Sequence, residues 1–135
     1  MAQSSQKKLT IMTALNELTE KILQKAFKIH AALGPGLLES SYKECLYYEL
    51  HESGLYVEKE KPLPLFYEKV KMDIGYRMDL LVEKKVIVEI KAVEAINEVH
   101  VSQVLTYLKL AECKIGLLLN FNVASMKNGI KRLIK

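Results

Sequence analysis

Arginine is nearly missing from this chain. Arg77 and Arg132 are the only two in 135 residues, so lysine carries almost all of the positive charge. The net charge of +4 is compatible with a polyanionic partner, but ordinary soluble proteins often carry as much, and charge alone selects no partner. Cysteine is equally scarce. Cys45 and Cys113 lie far apart, each within a helical pattern and without C-x-x-C spacing, which argues against a disulfide framework or a cysteine-built zinc site. They read as small core residues in a reducing compartment. No apolar run approaches the roughly 18 residues needed to span a bilayer, and the lysine-bearing start has no secretion-type apolar core. The expectation is a soluble, cytoplasmic protein without a membrane partner.

Repeats, low-complexity segments and linkers are also lacking. With half its residues hydrophobic, a chain of this length suits one domain with a sizeable core, placed at residues 13–135 behind a flexible, unpatterned arm at residues 1–12. Leu15, Leu18, Ile22, Ala26, Ile29 and Leu33 recur at three- and four-residue steps and predict an amphipathic helix from Thr13 to Leu33. Gly34-Pro35-Gly36 stops it. A second helix is expected from about Leu38 to Ser53, closed by Gly54. Residues 55–82 alternate in short apolar runs broken by Pro62 and Pro64, the pattern of strands with an edge position. Asn97 to Glu112 returns to helical spacing. Ile115 to Phe121 is apolar enough for a strand covered on both faces, and a turn is expected near Ser125 to Gly129. A helical crossover between Lys91 and Ile115 predicts that the two flanking strands run parallel.

The most informative stretch is Asp79 to Lys91: two apolar runs, a charged break, an acid early and Glu89-Ile90-Lys91 late. Alternation puts Glu89 and Lys91 on one strand face, with Val88 and Ile90 on the other. If Glu83, Lys84 and Lys85 form a three-residue loop, Asp79 falls opposite Glu89; a two-residue closure would split the acids between faces. Facing carboxylates repel, and a divalent cation between them removes the objection. Carboxylates of this kind hold magnesium or manganese, and a neighbouring lysine orients water and offsets phosphate charge, the chemistry of phosphodiester hydrolysis.

The segment Gly36-Leu37-Leu38-Glu39-Ser40-Ser41-Tyr42 resembles the signature of the GxxExxY proteins in the PD-(D/E)XK nuclease-like superfamily. The likeness extends through Ile29-His30, Asp79, Glu89-Ile90-Lys91, Gln103 with Tyr107, and Asn120-Phe121. It implies a mixed α/β fold with a restriction-endonuclease-like αβββαβ core, N-terminal helices and a mixed central sheet flanked by helices. It further implies a Mg2+- or Mn2+-dependent deoxyribonuclease acting on nucleic acid, with DNA as the expected substrate. Asp79, Glu89 and Lys91 would be catalytic. Glu39, Asp79, Glu89 and the Ile90 carbonyl would bind metal, with His30 as a further candidate. Gln103 and Tyr107 resemble the Q-x-x-x-Y element of RecB-like nucleases and would flank the site with Tyr42 and His100. Met78 stands where the superfamily's name has proline. Each residue also has a plainer reading: Glu39 as an acid favoured in a first helical turn, His30 as a satisfied helix-terminal histidine, Tyr42 and Tyr107 as core-edge aromatics. The alternative function is a catalytically silent nuclease-fold module that binds nucleic acid or an unidentified protein partner; a homodimer is a further possibility.

Overall fold

The computed structural model describes residues 2–135, and side-chain surroundings from Ser4 onward. Helix α1 spans Ala2–Leu33. It begins well before the expected start at Thr13, in place of the unpatterned arm, and Met1 lies outside the described residues. The early turns carry no apolar period because nearly all their side chains face solvent. They remain helical through good helix formers such as Gln6, Lys7 and Lys8, and Thr10 and Thr13 each return a hydroxyl to the carbonyl four residues back. Gly34 and Gly36, at φ of +67° and +102°, then turn the chain into α2, Glu39–Glu52.

Strand β1 (Val57–Pro62) follows, then the short β2 (Leu65–Tyr67) and β3 (Val70–Met72), β4 (Arg77–Val82) and β5 (Val86–Lys91). Helix α3 (Glu98–Ala111), β6 (Ile115–Asn120), a 3-10 turn at Met126–Gly129 and β7 (Ile130–Ile134) complete the chain. The main sheet has the order β1-β4-β5-β6-β7, and β2 and β3 form a separate two-stranded hairpin. Among the described residues only β5 and β6 pair in parallel, joined by the α3 crossover as their spacing required. The proline-bearing β1 occupies one edge. At the other edge lies β7, which the sequence does not announce: Ile130-Lys131-Arg132-Leu133-Ile134 is a short, half-exposed run whose strand character comes from pairing with β6.

The sheet separates two cores. On one face, Leu15, Leu18, Ile22, Ala26 and Ile29 of α1 and Tyr42, Leu46 and Leu50 of α2 meet Leu80, Val82, Val88, Ile90, Leu117 and Leu119. On the other, Val104, Tyr107 and Leu108 of α3 cover Leu81, Ile87 and Leu118. Each fully buried aliphatic side chain contributes about 1.5–3 kcal/mol, so both cores oppose any slip of β4 against β5, which would turn every apolar side chain to the wrong face. The pairing is Leu80 with Val88, Leu81 with Ile87 and Val82 with Val86, so the loop is the three-residue one. Lys85 N donates to Val82 O at 2.9 Å, and Glu83 and Lys84 take φ of 53° and 56° to close it. Among the described residues no helix is long and apolar enough to cross a membrane.

The return from β6 to β7 depends on Gly129. A Cβ there would collide with the Asn120 backbone carbonyl at the end of β6. Gly129→Ala is expected to lower the unfolding free energy by about 2 kcal/mol or more, read from the urea midpoint at unchanged slope.

Candidate active site

The ladder between β4 and β5 ends at Leu80 and Val88, and beyond it side chains replace backbone pairing. Asp79 N donates to Glu89 Oε2 at 3.2 Å, and Ile90 N donates to Asp79 Oδ2 at 2.8 Å. The two acids therefore sit together where the strands part, each accepting a main-chain amide from the opposite strand. Glu89 is 3% exposed, which is unusual for a carboxylate without a cationic partner. Burial, then its hydrogen bond to Asp79 and the charge of Asp79, push Glu89 up to about 9, while the Asp79 amide and, after it, the charge of Lys91 pull the other way. Burial and the adjacent carboxylate thus both favour the protonated form of Glu89.

Lys91 shares the α3-facing side of β5 with Glu89, as alternation predicts. Its Nζ donates to Gln103 Oε1 at 3.3 Å, and Gln103 Nε2 donates to the Tyr107 hydroxyl at 3.2 Å. Gln103 and Tyr107, four residues apart on one face of α3, thus form a relay that orients the lysine. Burial, followed by the charge of Glu89, raises the Tyr107 phenol, which stays neutral.

The remaining candidates fall elsewhere. Glu39 reaches the end of β5 from the first turn of α2, where its Oε1 accepts from Ala92 N at 3.2 Å. His30 Nε2 lies 2.7 Å from the Val123 carbonyl and so carries the hydrogen; the ring fastens the loop after β6. His100 sits at the start of α3 in a reciprocal cap, with Asn97 N donating to its Nδ1 at 3.1 Å and its own N donating to Asn97 Oδ1 at 3.0 Å. Its side chain is used by the helix terminus. Tyr42 is wholly buried, stacks on Phe121 with centroids 4.5 Å apart, donates to Gly34 O at 2.6 Å and accepts from Leu37 N at 3.1 Å. It clasps the Gly-Pro-Gly turn, which explains a tyrosine three residues after Glu39 without any chemistry.

Two residues near the site carry more than their sequence context shows. Asn120, at the end of β6, accepts from Val93 N at 3.1 Å and donates to Val93 O at 3.0 Å, fixing the chain just after Lys91. Lys43, one turn beyond Glu39, is bonded to Glu60 at 2.9 Å. Burial opposes its charge, but Glu60 and the field of Asp79 outweigh it and hold its pKa up. Its four-residue spacing from Glu39 was the available signal.

A family model of the PD-(D/E)XK nuclease superfamily matches residues 16–133. The chain belongs to the PD-(D/E)XK nuclease superfamily. No curated protein and no solved structure matches it significantly. Superfamily members are generally hydrolytic nucleases and typically use divalent metals such as Mg2+ or Mn2+. Met78, just before Asp79, is buried in the same apolar cluster as Leu81 and Tyr107. Among the described residues, no three of His, Cys, Asp and Glu converge on one point, so Glu39 and His30 do not join the two acids. Two carboxylates that hold a proton between them in a buried site, with only oxygen donors, nonetheless fit a hard cation that keeps most of its water.

The raised pKa sets a sign. The unfolded chain releases the Glu89 proton near the ordinary 4.5 and the folded chain near about 9, so stability falls as pH climbs through that window. Glu89→Gln keeps the shape and a donor toward Asp79 but has no proton to lose. In chelator it is expected to be more stable than the parent at about pH 8, by on the order of 1 kcal/mol or more, with the gap shrinking toward about pH 5 in a series of urea titrations. Tyr42→Phe, which orphans the Gly34 carbonyl and Leu37 amide, is expected to cost about 1–2 kcal/mol in the same assay.

Proposed function

We propose that this chain is a metal-dependent nuclease that hydrolyses phosphodiester bonds, with DNA as its substrate. The observation that carries this reading is the meeting of a buried acid pair with an oriented lysine at the open end of β4 and β5. Asp79 and Glu89, with the Ile90 carbonyl, would hold Mg2+ or Mn2+, which when bound supplies Lewis acidity at the phosphate and a more acidic water. Lys91, held by Gln103, orients the attacking water and offsets charge on the phosphate. Tyr107 fixes Gln103 as a neutral hydrogen-bond partner. Glu39 holds the Ala92 amide and so positions the end of β5. The Gly36–Tyr42 signature supports a place among the GxxExxY proteins, and the Gln103–Tyr107 pair supports the RecB-like branch.

A second reading, a nuclease-fold module that binds nucleic acid without cutting it, is favoured by one observation: no third side-chain ligand converges on the acids among the described residues. Metal-dependent cleavage separates the two. Purified protein with Mg2+ or Mn2+ is expected to degrade DNA, and Lys91→Ala and Asp79→Asn are each expected to lower the rate at least about 100-fold while unfolding normally. Intact DNA in both metals, or equal residual cleavage by Lys91→Ala, overturns the nuclease reading.

A further inference from the structure

Among the described residues the β2–β3 hairpin forms a sheet of its own, separate from the main sheet, and displays its largest side chains to solvent. Phe66 is 59% exposed and Tyr67 67%. Burial therefore does not explain them. Phe66 stands directly across from Lys71, Lys69 lies at the turn, and Arg77 opens β4, against the acids Glu68 and Asp73. Aromatics interleaved with cations suit a single nucleic-acid strand, whose bases stack while its phosphates meet lysine and arginine.

Between this hairpin and α3 lies a cleft of about 300 Å³. Leu65, Tyr76 and Leu110 supply apolar walls, and Ser102, Gln103 and Thr106 bring hydrogen-bonding groups to it. Tyr76 stands edge-on to Tyr107, with centroids 6.4 Å apart. A largely apolar cleft with a few polar groups can meet the two needs of a nucleobase, stacking on its faces and hydrogen bonding along its edge. The cleft is continuous with the candidate site, because Gln103 and Tyr107 line it and also form the relay that holds Lys91.

We propose that this cleft takes one unpaired base of the nucleic-acid substrate, adjacent to the phosphate handled at Asp79, Glu89 and Lys91. The inference rests on the nuclease reading of that site and names its substrate class: single strands, or duplexes with an unpaired stretch. A base inside an intact duplex has both faces stacked and its edge paired, and cannot enter without being extruded. Shared walls also give the occupied cleft a route to the lysine, since a base against Gln103 steadies the group that orients Lys91.

The test is fluorescence anisotropy of the full chain in chelator, with a labelled DNA oligonucleotide as a single strand and as a blunt duplex of equal length. The single strand is expected to bind at least about tenfold more tightly. Two variants probe the cleft: Tyr76→Ala removes a wall, and Ser102→Leu with Thr106→Leu fills the slot from two exposed helix positions. Each is expected to weaken single-strand binding roughly fivefold or more and to leave duplex binding within about twofold. Equal affinity for the two DNA forms, or unchanged single-strand binding in both variants, overturns the base site. Cleavage is scored separately in Mn2+. Cleft-dependent binding without cleavage sinks the nuclease reading and keeps the base site; cleavage indifferent to both variants does the reverse.

Discussion

Everything around the candidate site depends on how β4 and β5 separate. A hairpin that continued its ladder past Leu80 and Val88 would leave no room for chemistry, and one that simply opened would strand two amides. Asp79 and Glu89 resolve this by accepting each other's strand: Ile90 N on Asp79, Asp79 N on Glu89. Burial first, and then the neighbouring Asp79 carboxylate, disfavour charge on Glu89 and raise its pKa. The fold thus carries a locally costly arrangement whose cost falls on two carboxylates at the open end of the hairpin.

The rest of the molecule keeps that arrangement in register. Two apolar clusters grip the sheet from opposite sides, so the odd-length loop at Glu83 to Lys85 is held by the burial of Leu80, Leu81, Ile87 and Val88 more than by the loop itself. Helix α2 arrives at the end of β5 because Tyr42, stacked on Phe121, pins the Gly-Pro-Gly turn. Helix α3 presents Gln103 and Tyr107 because its buried face, Val104 and Leu108, locks its rotation against Ile87 and Leu118. Gln103, which meets Lys91, is the chain neighbour of the core residue Val104. Positioning the lysine and stabilising the domain are one packing problem.

Periodicity alone placed most of the strands and helices, the parallel pairing of β5 with β6, and the opposition of Asp79 and Glu89, because each rests on local spacing and on which face must be dry. Family resemblance added Gln103 and Tyr107. Spacing was a poor guide wherever a polar side chain had a choice of partner. Glu39, His30 and His100 are all of ligand type, yet each is occupied by a main-chain group: the Ala92 amide, the Val123 carbonyl and the N-terminus of α3. Likewise, α1 runs on to Ala2 through solvent-facing turns without apolar rhythm, and β7 exists through its partner β6.

By itself, then, the sequence determined the fold class, the hairpin register and the meeting of Asp79 with Glu89, since burial patterns of period two and near four leave few alternatives. Tertiary structure decided which polar groups remain available at the site. It sent Glu39 and the two histidines to backbone partners, gave Lys91 its anchor, and left an aromatic hairpin uncovered beside α3. Except for the local cap between Asn97 and His100, those outcomes turn on distances between segments far apart in the chain, and hydrogen bonds of a few ångströms across such separations leave no period to read.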